Sequence, residues 1–190
     1  MKKTFAALFA LAALLAPLAA LAAGVSVNLN AQITGAYNGS NALGSVAFSL
    51  NQVLSQQLAP GTSSGQGDKL FSDRRTLAAS ATENLDLAGV LIDPLGSTLT
   101  FGHVKWIYIR AATANANDVC VGGAASNTFN GPFADPTDIV CVKPGGIALF
   151  TVNTGAGWVV TPSTGDLLKV ANSGGTTGVT YDVIIVGTST

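Results

Sequence analysis

From Thr76 to the C-terminus, short β-branched runs alternate with turn residues at a regular spacing. Runs at 104–110, 118–121, 138–142, 147–152, 157–161, 166–171 and 178–186 are parted by "GG", "PGG", "TGAG" and "SGG". An amphipathic helix needs apolar residues three and four apart over ten or more positions. Strands of four to eight residues, closed by glycine or proline every ~8–12 residues, describe an antiparallel β-sandwich or jelly roll instead. "DPLG" at 93–96 adds a turn with proline at its second position. No period of 20–50 residues recurs, which excludes a solenoid or propeller. In "VKWIYIR" (104–110), Val104, Trp106 and Tyr108 alternate with Ile107 and Ile109. A strand apolar on both faces belongs at the centre of a sandwich or in an interface.

The residues ahead of this pattern differ. Val25, Val27 and Leu29 alternate with Ser26, Asn28 and Asn30, and Val46, Phe48 and Leu50 repeat the strand period. Val53, Leu54 and Leu58 have helical spacing and predict a short helical turn over 52–58. "APGTSSGQGD" (59–68) is breaker-rich and reads as a linker. The expected organisation is an N-terminal arm with its linker over 23–75 and a sandwich over 76–190.

Residues 1–22 read as a secretion signal. Lys2 and Lys3 precede an Ala/Leu run from Phe5 to Leu18, and Ala20-Leu21-Ala22 supplies small residues for cleavage before Ala23. The run is shorter than the ~20 residues of a membrane helix and has no stop-transfer flank. The expected product is exported, periplasmic or extracellular, with no integral membrane span. Loss of Lys2 and Lys3 leaves seven basic against ten acidic residues, a net charge of −3. Charged residues are 10% of the chain, against a usual ~25%. No basic cluster is present, so nucleic acid is not an expected partner. A surface of Ser, Thr, Asn, Gly and Ala suits a chain that packs against neighbours.

Reactive chemistry is sparse. Cys120 and Cys141 each sit in an alternating apolar run, Val119-Cys120-Val121 and Val140-Cys141-Val142. Two thiols and one distant histidine do not make a zinc site, and no C-x-x-C pair exists. In an exported protein the pair reads as a structural disulfide, with two separate buried thiols as the alternative. His103, in "TFGHVKW", has no acid or nucleophile pattern around it and reads as a strand residue. "GTSSG" (61–65) matches the nucleophile elbow formally, but no strand-to-helix context surrounds it. Asp93, Asp135 and Asp166 lie at turns, where aspartates cap their own backbone. Asp135 and Asp138 in "ADPTD" are too few for an EF-hand-like calcium set. Arg74-Arg75 is a lone basic pair suited to a partner carboxylate. Trp106, Trp158 and Tyr181 read as core aromatics, with a sugar-stacking surface as the alternative. No catalytic, metal-binding or cofactor-binding residue emerges, and the expectation is a non-enzyme.

Four phrases carry a resemblance: "LFSDRRTLAASATENLDLAGVLIDPLGSTLTFGHVKWIYI" (70–109), "NDVCVGGAASNTFNGPFADPTD" (117–138), "TGDLLKVANSGG" (164–175) and "VTYDVIIVG" (179–187). With "VKPGGIALF" they resemble a family of small β-rich virion structural proteins of tailed bacteriophages and prophages. The resemblance covers about 70–187. It implies a structural role as a head decoration or tail-associated subunit in an oligomer, with a trimer as the expected number and a capsid or tail partner; a cell-surface partner goes with the competing reading. No catalytic residue carries over. The export signal and the cysteine pair depart from the family's cytoplasmic assembly. The competing expectation is an exported surface-binding module, a carbohydrate-binding or adhesin-like sandwich.

Overall fold

The computed structural model describes residues 24–190, and the expected signal peptide lies outside them. Twelve strands and no helix occur among the described residues. They are β1 (Val27–Asn41), β2 (Gly44–Pro60), β3 (Gln66–Gly67), β4 (Lys69–Leu77), β5 (Thr82–Asp86), β6 (His103–Ala111), β7 (Val119–Gly122), β8 (Ile139–Val142), β9 (Ile147–Thr151), β10 (Trp158–Val159), β11 (Leu167–Asn172) and β12 (Val179–Thr188). The fold is all-β, as the turn spacing predicts.

Two antiparallel sheets form the body. In one, β12 lies between β4 and β6, and β9 and β10 share the far edge of β6. The other runs β5-β11-β7-β8. Their facing side chains make one core: Phe71, Ile107, Ile109, Val183 and Ile185 from the first sheet, and Leu85, Val119, Val121, Leu168 and Val170 from the second. Each fully buried aliphatic or aromatic side chain there contributes roughly 1.5–3 kcal/mol of transfer free energy.

A bulge corrects the expected faces of β6. Val186 pairs with Trp106 and Gly187 with Val104, which leaves Lys105 without a partner. The extra residue reverses the alternation. Val104 therefore joins Ile107 and Ile109 in the main core, while Trp106 points to the other side. Gly187 fits there because a side chain would strike the His103 carbonyl and the Phe101 ring.

Three further expectations are corrected. Residues 52–58 are strand, not helix: they form part of β2, paired residue by residue with β1. The linker is tied down. Ala59 N–H donates to Gly65 O, Gly61 N–H to Gly67 O and Gly65 N–H to Asn153 O. The arm does not reach residue 75, because β4 is a full strand of the first sheet and pairs with β12 along nine residues.

Candidate functional site

The N-terminal strands make the most distinctive surface. Asn41 pairs with Gly44 around a two-residue turn, and that turn fixes a register running unbroken to Val27 opposite Leu58. Asn41 Oδ1 accepts the Leu43 N–H at 2.9 Å and holds the turn. Fifteen pairs at ~3.4 Å per residue give a ribbon about 50 Å long.

Only the base of this hairpin touches the body. Leu58, Trp106 and Val186 form a small second core on the outer face of the first sheet, covered by Val25, Val27, Leu29 and Leu70. From Asn30 to Ser55 every residue is exposed. Yet the ribbon is two-faced. One face carries Ala31, Ile33, Gly35 and Tyr37 from β1 and Leu54, Leu50, Phe48 and Val46 from β2. The opposite face carries Asn28, Asn30, Gln32, Thr34 and Asn38 with Gln57, Ser55, Asn51 and Ser49, interrupted by Ala36, Ala47 and Val53, as Gln52 interrupts the apolar face. Gln32 Nε2 donates to Asn51 Oδ1 at 3.1 Å and Ser55 Oγ to Asn30 Oδ1 at 2.9 Å, cross-strand ties on the polar side. The apolar side continues the second core outward with nothing on it. Tyr37 is 79% and Phe48 62% exposed, and Leu43 at the tip is 98% exposed. An isolated two-stranded ribbon is marginal in water, and large exposed apolar patches mark interaction surfaces.

The sequence-level site candidates fall elsewhere. Cys120 and Cys141 are direct cross-strand partners on β7 and β8 and are joined by a disulfide, with Cα atoms 3.9 Å apart. This resolves the choice between a staple and two separate thiols. Trp106 and Tyr181 are buried in different cores, and Trp158 is half-buried against Gly131. The three rings do not gather into a stacking surface. Tyr181 packs in the main core, and Trp106 is covered by the N-terminal strands on the outer face of the first sheet.

His103 opens β6 opposite Thr188, and its Nδ1 is buried with no hydrogen-bond partner among the described residues. "GTSSG" forms the turn between β2 and β3. The Ser63 carbonyl accepts from Lys105 Nζ at 3.1 Å, and Gly155 O accepts from the same ammonium at 2.7 Å. Burial lowers the pKa of that lysine below its ordinary value. Asp135 accepts from the backbone N–H of Thr137 at 2.9 Å and from its hydroxyl at 2.7 Å, which hold its carboxyl below the usual range. Asp138 accepts the Asp135 N–H. Both acids are spent on their own turn. Arg74 meets Asp182 with two hydrogen bonds, of 2.6 and 3.2 Å. Among the described residues, no three His, Cys, Asp or Glu side chains cluster as metal ligands.

A cleft of about 480 Å³ lies between residues 24–26, 68–70 and 93–99. Its acids are already engaged: Asp68 by Ser189, and Asp93 by the amides of Leu95 and Ser97. Comparison with protein-family models, curated proteins and solved structures finds no match.

Proposed function

We propose that this chain is a non-catalytic structural subunit: a disulfide-stapled β-sandwich that joins a larger assembly through its N-terminal hairpin. The observation that carries this reading is the two-faced ribbon from Asn30 to Ser55, exposed throughout and apolar along one side. A monomer gains nothing from holding Ile33, Tyr37, Phe48 and Leu50 in water on an extended arm. A subunit of a particle gains an anchor. The phrase-level resemblance to phage virion proteins points the same way, to a decoration or tail-associated role in a homo-oligomer, with three copies as the expected number.

The disulfide fits an oxidising compartment, and with the Lys2–Ala22 signal pattern it supports export. N-terminal sequencing of the mature protein is expected to begin near Ala23. The rival reading, a sugar-binding module that stacks ligands on Trp106, Trp158 and Tyr181, has lost two of its rings to the cores. Assembly is tested by sedimentation at low and high salt. An oligomer held by apolar contacts persists in high salt, and a monomer at tens of micromolar overturns the proposal.

A further inference from the structure

The apolar face of the hairpin has relief. At three levels a large β2 side chain stands beside a small β1 residue: Leu54 beside Ala31, Leu50 beside Gly35 and Val46 beside Gly39. A Cβ placed on Gly35 or Gly39 would meet no atom within 4 Å, so the space above both is open. Between these levels Ile33 faces Gln52 and Tyr37 faces Phe48, filling both sides. The face is therefore a continuous row of β2 side chains next to a β1 row that dips at Ala31, Gly35 and Gly39 between Ile33 and Tyr37, with each dip level with a β2 side chain.

That shape fits a copy of itself in one orientation. Rotation about an axis along the hairpin brings β2 of one copy over β1 of the next, at matching levels. Leu50 then meets the notch at Gly35, and Val46 the notch at Gly39. Rotation about an axis across the hairpin sets β1 on β1 and β2 on β2. Charge supports the same occupant. No Asp, Glu, Lys, Arg or His occurs from Gly24 to Gly67. In a symmetric assembly residues close to the axis approach their own images, so a charge on the inner face of this segment would meet like charge there. A foreign partner would impose no such restriction, and exposed ribbons ordinarily carry charges against edge pairing.

We infer that the apolar face is covered by the hairpin of a second copy, parallel to the first. The copies wind around an axis along the ribbon, and the Leu50 and Val46 side chains of each enter the Gly35 and Gly39 notches of its neighbour. The inference rests on the assembly reading above and adds its surface, occupant and polarity. Either two or three copies satisfy it.

The test uses cysteine pairs between chains. Two differently tagged full-length chains, one Gly39→Cys and the other Val46→Cys, are co-expressed and oxidised. Cys120 and Cys141 are already paired, so each chain carries one free thiol. A disulfide joining the two tags is expected as the major species. The matched pair on the polar face, Asn38→Cys with Ala47→Cys, is expected to yield little. An oligomer that links through the polar-face pair, or through neither pair, overturns the inference while leaving assembly standing. A monomer overturns both. A monomer that binds phosphatidylcholine vesicles through Phe48 replaces the second copy with a lipid surface, and this too overturns the inference.

Discussion

Tyr181 on β12 donates its phenolic hydroxyl to Glu83 on β5 across 2.6 Å, a polar tie between the two sheets of the sandwich. Arg75, which stands beside Tyr181 in register on β4, reaches the same carboxylate at 2.6 Å. Its guanidinium also lies 5.6 Å from the centre of the Phe71 ring. Burial first, and then the bond to Glu83, raise the Tyr181 pKa far above its ordinary 10.0. The folded protein keeps this proton at pH values where the unfolded chain loses it. Stability from Tyr181 is therefore complete below about pH 10 and declines as pH rises beyond it.

Tyr181→Phe should cost about 1.5–3 kcal/mol near neutral pH, the range for a hydrogen bond to a charged group. It should also flatten the loss of stability above about pH 10. Denaturant titrations between neutral and strongly alkaline pH check both effects. Parallel pH profiles for the two proteins would remove Tyr181 as the source.

The disulfide closes a loop with a sequence separation of 21 and ties β8, the last strand of its sheet, to β7. Replacing both cysteines with alanine should lower stability by about 3 kcal/mol. Because Val119, Val121 and Val142 remain in the core, the variant is expected to fold. Its midpoint in urea reports the loss, and an unchanged midpoint would contradict it.

Lys105 is the bulged residue of β6, fully buried, and it joins the turn at Ser63 to the loop at Gly155. Lys105→Ala removes the buried stem and leaves both carbonyls without their donor. A loss of about 2–4 kcal/mol is expected. Hydrogen exchange at the amides of Ala59, Gly61 and Gly65 should accelerate, since their bonds fix the same turn. Exchange unchanged at these amides would show that Lys105 does not hold it.

The sandwich was legible because its signals are local. Alternating runs such as 178–186 and 166–171 match β12 and β11 within a residue or two. The hairpin was half legible. Leu54 and Leu58 are four apart, a spacing that satisfies both a helix and a strand, and Val53 tipped the reading toward helix. In the structure Val53 lies on the polar face opposite Gln32, an exception to the alternation. The bulge at Lys105 has no sequence signature, so the face of Val104 was misassigned. The linker at 59–68 looked free because its bonds reach Asn153 and Lys105, about 40 to 90 residues away in the chain. The apolar face of the arm needs the register to be seen. Odd positions of β1 and even positions of β2 share it only because the turn at Ala42-Leu43 sets Asn41 against Gly44.

The arm and the body should separate at a definite point. Replacing residues 31–54 with a short turn keeps Val27, Leu29 and Leu58 over Trp106 and Val186, and keeps β4 in its sheet. The shortened protein is expected to retain the melting behaviour of the sandwich and to be monomeric. Removing all of 23–68 should do worse, because it strips the cover from Trp106. Equal stability of the two truncations would show that the second core contributes nothing.

If the apolar face of the hairpin is the assembly surface, Phe48→Asp should break the assembly. Phe48 is exposed and paired with Tyr37 near the tip, far from either core, so the substitution leaves the sandwich intact. In a symmetric assembly it places like charges together in an apolar layer. Sedimentation of both proteins at equal concentration is the measurement. The parent is expected to sediment as an oligomer and Phe48→Asp as a folded monomer. An oligomer of unchanged size in the variant, or a monomer in both, would contradict it.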